Sequence, residues 1–472
     1  MKWKDRSASR LSKELASDSP LTVLHALNTN TLTRIENKNI GSQEAFDAHL
    51  ASLKDFPQWW LDLKQENWRR FQELPAPHRK DENWRFASLG VLDLSPYHFD
   101  DAAPDESAAG NFIERSNRIQ QRAGRLVFAN DRLVDHEAVS AELAEKGVVW
   151  MPIEQAVREH EELLRRHFMA QPIKLGSEKF SALHGAFCSA GSFLHVPKGV
   201  EIELPLVACH WTASDGSALF PHTLLIADEQ SKVTLVDFFA AHAASGRNHI
   251  CGVNDLYAGP GARVTYVSAQ DWGRESLAFH LNSTQAFKDA FITSLNVNTG
   301  GRQARTESHS QVMGEGAHTE MQSLTVATGK QEFDQRTLQT HFKGHSVSDL
   351  LYKNALFDDA RTIFSGLIKV EEDAQQTDAY QTNRNLLLST TAEANALPGL
   401  EILANDVKCS HGATSGQIDD DQLYYLKARG IPERVAKELL VFGFFEDVLG
   451  KLQNEEIAEN LRTLIREHVS RI

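Results

Sequence analysis

Between about residues 176 and 410 the chain consists of short stretches rich in β-branched and aromatic residues, each closed by tight-turn chemistry, with no helical period between them. The stretches are 223–227, 233–239, 264–269, 291–297, 324–327, 363–370 and 386–391. Pro197-Lys198-Gly199, Gly259-Pro260-Gly261, Thr299-Gly300-Gly301 and Gly314-Glu315-Gly316 punctuate them, with glycine supplying positive φ and proline presetting the turn. A region of over 200 residues built this way disfavours alternating βαβ units and points to a sandwich, a large barrel or a β-solenoid. Related phrases recur: Ser231-Lys232-Val233-Thr234, Gly261-Ala262-Arg263-Val264-Thr265 and Gly316-Ala317-His318-Thr319. Val233 and Val264 are 31 residues apart and later spacings drift. Loose repetition without hairpin dipeptides favours the solenoid.

The flanks read differently. Residues 1–175 form a mostly helical region, densest over 46–74, where Leu50, Leu53, Trp60, Leu63, Trp68 and Phe71 recur at helical intervals. Pro57 breaks or starts a helix there, and Leu74-Pro75-Ala76-Pro77 ends the run. A further helix is expected over 153–168, with acids early and Arg165, Arg166 and His167 late, as the helix dipole prefers. Trp59, Trp60, Trp68 and Trp84 are read as packing at helix contacts rather than as a ligand box. After the β core, expected over 176–412, a helical region over 413–472 opens with Asp419, Asp420 and Asp421. It stops at Arg429-Gly430, restarts at Pro432 and carries a third helix over 455–469. Residues 419–450 hold four Lys/Arg against seven Asp/Glu, the wrong sign for a DNA-reading helix pair, so a partner-docking pair is the better reading.

Charge and cysteine content narrow the function classes. The 472 residues carry a net charge of −15, which argues against nucleic acid or anionic lipid as a general partner. Cys188, Cys209, Cys251 and Cys409 include no C-x-x-C pair, so a zinc ribbon, a thioredoxin-type motif and a self-contained iron–sulfur ligand set are all unsupported. Scattered thiols fit a reducing compartment. Lys2, Lys4, Arg6 and Arg10 precede no apolar stretch, so a secretory signal is not expected, and an Arg/Ser-rich transit peptide is the minor alternative. No run of about 18 apolar residues suggests a membrane span. A cytoplasmic location is the default expectation.

No G-x-S-x-G elbow, Walker A loop or dinucleotide fingerprint marks an autonomous catalytic centre. Histidine is concentrated in the middle, with 12 of 20 between His184 and His411. His195, His210 and His222 superficially resemble a cupin metal motif but lack its H-x-H core and its glutamate, and His341 and His345 would share a helix face only if the β-like surroundings were wrong. The sharpest local feature is Val407-Lys408-Cys409-Ser410-His411-Gly412-Ala413-Thr414. On a strand, Val407, Cys409 and His411 share one face, and the Cys409 and His411 backbones lie about 6.5 Å apart, close enough for thiolate and imidazole to reach one atom between them. Two ligands make only a weak, open site, so a tight metal needs others, from a second chain for instance. A half-buried cysteine beside a hydrogen-bonded histidine is the plainer reading.

Residues 407–449, through Lys408-Cys409-Ser410-His411-Gly412-Ala413-Thr414, Asp421-Gln422-Leu423-Tyr424-Tyr425-Leu426, Arg429-Gly430-Ile431 and Phe442-Gly443-Phe444, closely resemble the C-terminal part of the SufB/SufD family. Phe71-Gln72-Glu73-Leu74-Pro75 and Glu82-Asn83-Trp84-Arg85-Phe86 echo its N-terminal part. The resemblance implies a mainly β fold, a right-handed parallel β-helix with helical ends, and a role in iron–sulfur cluster assembly by the SUF pathway. His411-Gly412, where SufB-type members carry His-Glu, and the isolated thiols place the likeness on the SufD side. It further implies a non-catalytic scaffold in a SufB–SufC–SufD complex that supports iron acquisition. Cys409 and His411 would then face SufB, His411 being the stronger candidate, and no cofactor would be held stably by the chain alone, only transient iron or a nascent cluster. Leu423, Tyr424, Leu426, Arg429, Leu440, Phe442, Phe444 and Phe445 would meet the ATPase SufC, where ATP hydrolysis is expected. The rival readings are a cupin-like metal-dependent enzyme and a plain homodimeric β-solenoid without a cluster role.

Overall fold

The computed structural model describes residues 39–89, 92–99, 104–171 and 174–470; the basic stretch Lys2 to Arg10 lies outside them. Through the middle of the chain, successive strands alternate between two stacked sheets. Lys232–Ala241, Arg263–Asp271, Phe291–Asn298, His318–Ala327 and Val347–Leu356 pair in parallel in one sheet. His249–Ala258, Leu277–Ala286, Gln303–Val312, Glu332–His341 and Arg361–Val370 do so in the other. The result is a β-solenoid whose sheets hold 11 and 10 strands. Its strands run parallel turn upon turn, unlike the antiparallel double sheet of a cupin, so the cupin reading falls with the fold.

Lys232, Arg263, Phe291, His318 and Val347 occupy equivalent places, which makes the turns 31, 28, 27 and 29 residues long. The repeated phrases therefore do mark equivalent positions, with Val233, Val264, Ile292 and Thr319 in register. The drift in spacing is taken up at the corners. One corner is constant in kind: Gln230, Gly261, Asp289, Gly316, His345 and Gln376 all have positive φ and stand just before their strands. A left-handed residue there turns the chain into the next strand, and glycine, Asn or Asp adopts it at least strain. His345 is thus a corner residue, and His341 ends a strand between the Ser346 and Ser348 hydroxyls (2.8 Å each), so the two share no helix.

Between the sheets the filling changes along the axis. The early turns are aliphatic and aromatic, with Leu225, Leu235, Leu256, Val264, Tyr266 and Ile292 buried together. Elsewhere buried amides and hydroxyls bond from turn to turn: the Asn254 amide donates to Asn282 (2.7 Å) and Asn282 to Ser308 (3.1 Å), three positions in one register. Buried polar groups are acceptable when they pair with one another in this way.

The N-terminal helices Gln43–Ser52, Gln58–Glu73 and Glu178–Phe187 bury an aromatic face with Phe46, Trp60, Trp68, Trp84, Phe187 and Phe279. The tryptophans are therefore packing residues, and Pro57 caps the second helix rather than breaking it. Around Trp84 the contact is ionic as well. Arg305 donates to Glu307 (2.7 Å), to Asp334 and to the carbonyls of Asn83 and Leu175 (2.8 Å each), with the Trp84 ring 3.9 Å away. Removing one partner from such a buried set strands the others, so it ties the 82–86 segment to the strands.

Three expectations need correction. The N-terminal part also contains strands: Gly124–Ala129 and Arg132–Glu137 form an antiparallel pair added to one sheet, and Val149–Pro152 pairs antiparallel with Gly191–Val196 in the other. The helix expected over 153–168 is two helices, Ile153–Glu159 and Glu161–His167, separated by His160, whose ψ of 41° leaves the helical region. The strand expected over 386–391 ends at Leu387, and Leu388 to Thr391 turn toward Glu393–Ile402 instead. No helix among the described residues is long and apolar enough to cross a membrane.

Candidate functional site

The C-terminal end of the solenoid is bare. Among the described residues, Val407–Gln417 ends one sheet and pairs only with Thr377–Leu387, and Glu393–Ile402 ends the other and pairs only with Arg361–Val370. Each leaves backbone N–H and C=O groups on its outer edge, a template for another strand, although Pro398 removes one donor from Glu393–Ile402. Tyr380, Leu400, Ile402 and Leu403 are exposed at this end, between 38% and 47% of their surface.

Cys409 and His411 lie on the last strand, opposite Ala379 and Gln381. Val407 and Cys409 pack on Ile368, Val370, Ala374, Ala379 and Ala404, whereas His411 and every residue from there to Gln417 are exposed. Period-two alternation gives the three one face, as read from the sequence. Burial pushes the Cys409 thiol up, the Ala379 backbone partly opposes this, and Asp378 adds to it. The thiol is thus held protonated until a metal or a base reaches it.

Three helices follow: Asp420–Ala428, Glu433–Leu449 and Glu455–Val469. The last two bury Val441, Phe445, Val448, Leu461 and Ile465 against the outer face of the sheet that ends in Val407–Gln417. Lys353 pins the second helix, donating to the Phe444 carbonyl (2.7 Å) and the Asp447 carboxylate (2.5 Å). The first helix has its N-cap, Asp419 accepting from the Asp421 and Gln422 amides, yet buries no residue at all. Tyr424 is 73% exposed and Tyr425 55% with Arg429 over its ring, Leu423 and Leu426 are half-buried, and Leu439 is exposed beside half-buried Leu440. Phe442 and Phe444 pack partly on the seam. Phe445 is fully buried there, so it fixes the helix and presents no surface to a partner.

The structure does not gather His195, His210 and His222. His195 lies 2.9 Å from Asp228, and His210 is stacked between Phe128 and Phe239. His222 instead meets two residues that sequence reasoning did not single out, His184 and Cys188, with ligand atoms of all three within 4.8 Å of one another. All are buried; burial pulls both imidazoles well below their usual range and pushes the thiol up to about 12. His184-x-x-x-Cys188, four residues apart at a helix end, was the available signal; His222 joins only through the fold.

Comparison with known proteins bears on the family rather than on any one of these residues. A family model described as the SufBD core domain of SUF system FeS cluster assembly matches residues 210–444, and one described as the SufBD protein N-terminal region matches 46–207. The chain is 31% identical over 421 residues to "Iron-sulfur cluster assembly protein SufD" of Bacillus subtilis, covering 88% of this chain and 94% of that protein. It is 26% identical over 441 residues to an iron-sulfur cluster assembly SufBD family protein of Staphylococcus epidermidis, covering 90% and 92%.

Proposed function

Since the chain belongs to the SufB/SufD family of SUF iron–sulfur cluster assembly proteins and is a SufD homologue, we propose that it is the non-catalytic SufD-type scaffold of a complex with SufB and SufC. The supporting observation is the bare end of the solenoid: two unpaired strand edges, exposed apolar side chains, and Cys409 and His411 on the outermost strand. SufB adds its own terminal strands there by edge pairing. Iron or a nascent cluster passes across that junction as cargo, with Cys409 and His411 supplying two ligands and SufB the rest. The SufC ATPase grips the exposed face of 419–449 through Leu423, Tyr424, Leu426, Arg429 and Leu440, with the visible parts of Phe442 and Phe444. ATP-driven closure of SufC then pulls on the junction. The organisation is an N-terminal part to about 175, a solenoid that runs to Gln417 rather than stopping at 412, and a docking part beyond, working in the cytoplasm.

Coexpression with SufB and SufC, read by native mass, is expected to give a complex containing all three. A chain that leaves SufC behind overturns the docking assignment, and a stable homodimer that excludes SufB favours the homodimeric reading. Within an intact complex, His411→Ala is expected to lower iron content and cluster yield several-fold; an unchanged yield removes His411 from the mechanism.

A further inference from the structure

Away from the bare end, the structure assigns a second metal site: we propose that His184, Cys188 and His222 bind one divalent first-row transition metal, with Zn(II) the ion their donor set favours. The proposal stands independently of the interface reading.

The three side chains are brought together by backbone that has little freedom. His184 and Cys188 are four residues apart on Glu178–Phe187 and its C-cap, so they lie on one face. Lys64 donates to the carbonyls of Gly185 (3.1 Å) and Cys188, closing the last helical turn. The chain then reverses, and the Ala190 carbonyl accepts the His222 amide (3.2 Å). Gly191 follows with φ of 136°, where a Cβ would lie 1.9 Å from the His222 carbonyl oxygen. Only glycine lets the two backbones approach so closely, and that approach seats His222 beneath the helix.

The outer partners of the two imidazoles are those a metal ligand needs. His184 Nδ1 is 2.7 Å from the Cys251 carbonyl, which only accepts, so Nδ1 carries the proton and Nε2 presents its lone pair. That Nε2 is 3.1 Å from Nδ1 of His222. Nε2 of His222 has no hydrogen-bond partner although fully buried, and the nearest group is the Asp255 carboxylate, 3.4 Å away. If Nδ1 of His222 donates to His184, its Nε2 lone pair faces Asp255. If a metal takes both facing nitrogens, Nε2 of His222 carries a proton toward Asp255 and every group is satisfied. Metal-bound histidines commonly donate their second N–H to a carbonyl or carboxylate in this way.

The distances fit. Two nitrogens at about 2.0–2.1 Å from a tetrahedral ion are about 3.3 Å apart, and a nitrogen and a thiolate sulfur about 3.6 Å. The 3.1 Å pair needs to open by a few tenths of an ångström, and the sulfur, within 4.8 Å of both nitrogens, needs to close by no more than about 1.2 Å. A cavity of about 90 Å³, bordered by Asn67, Phe168, Met169, Val253 and Asp255, comes within one side chain of the site, ending on the residue facing His222 and on the ring stacked against it. One thiolate and two imidazoles leave a fourth position for water or a passing ligand, the pattern of an open rather than a closed zinc site.

The test uses the full chain, stripped with chelator and reloaded with Zn(II) or Co(II). One ion per chain is expected to survive desalting, and Co(II) is expected to show the near-ultraviolet band of a thiolate–cobalt bond. Cys188→Ser should abolish that band and His222→Gln should weaken binding at least 100-fold, each checked for folding by circular dichroism. Cys409→Ser and His411→Ala should leave both unchanged, which separates this site from the one at the bare end. X-ray absorption of the zinc-loaded wild type requires no variant: a shell with one sulfur at about 2.3 Å supports the site. A shell without sulfur, no retained metal, or a thiolate band indifferent to Cys188→Ser overturns it.

Discussion

Besides His184 and His222, six described histidines are buried in neutral form: His49, His210 and His249 are pulled down to about 3, and His280, His309 and His341 to about 4, burial being the first cause in each. The unfolded chain takes up protons on these rings below about pH 6.5 while the folded chain does not. Their contribution is therefore complete above pH 6.5 and is lost as the pH falls toward their folded values. At pH 5 each forfeits about 2 kcal/mol. Asp131 and Asp255, raised by burial to about 7, and Asp237, raised to about 6, act in the opposite direction, but three carboxyls offset only part of six imidazoles. The urea midpoint is expected to be clearly lower at pH 5 than at pH 7; an equal or higher value at pH 5 contradicts the buried neutral histidines. Legibility at this scale depended on locality. Cys409 and His411 share a strand face by period-two alternation alone, whereas His222 reaches His184 and Cys188 only through a sheet register and a reversal at Gly191.

Among the elements, part of the core was legible because short apolar runs sit between recognisable corners: 264–269 falls inside Arg263–Asp271 and 363–370 inside Arg361–Val370. The strands His249–Ala258, Leu277–Ala286, Gln303–Val312 and Glu332–His341 were missed, being buried along almost their whole length and rich in polar residues. The strand Gly124–Ala129 was not, since it is buried along its whole length and shows no alternation to separate it from a helix. The three C-terminal helices were legible from their caps and stops, but which faces are covered was not, because Phe445 and Tyr424 are both large and apolar and only the packing tells them apart. The helix Asp420–Ala428, with nine residues and no buried side chain, is too short to be stable by its own hydrogen bonds. Its amides are expected to exchange with deuterium much faster than those of Glu455–Val469, and to become protected when the partner ATPase is added. Strong protection in the chain alone, or none in the complex, removes this helix from the docking surface.

For the whole molecule, the two ends of the solenoid differ. At the start, the outermost strands are Val149–Pro152, four residues ending in proline, and Arg132–Glu137, which carries Arg132, Asp135 and Glu137. Shortness, proline and charge all discourage a strand from recruiting another. At the other end the strands are 10 and 11 residues long; Glu393–Ile402 carries Glu393, Pro398 and Glu401, so the open edge is Val407–Gln417, where Lys408 is the one charged side chain. Sedimentation of the chain alone is expected to show species no larger than a dimer at any concentration short of precipitation; a ladder of higher species contradicts the blunted start. Among the described strands, a solenoid open to edge pairing at one end only gives pairing nowhere to propagate, so two such ends meeting are expected to stop at a pair rather than lengthen into a fibre. The short, charged edge strands near Arg132 and Pro152 are thus expected to limit how far edge pairing on the strands that end the sheets can build.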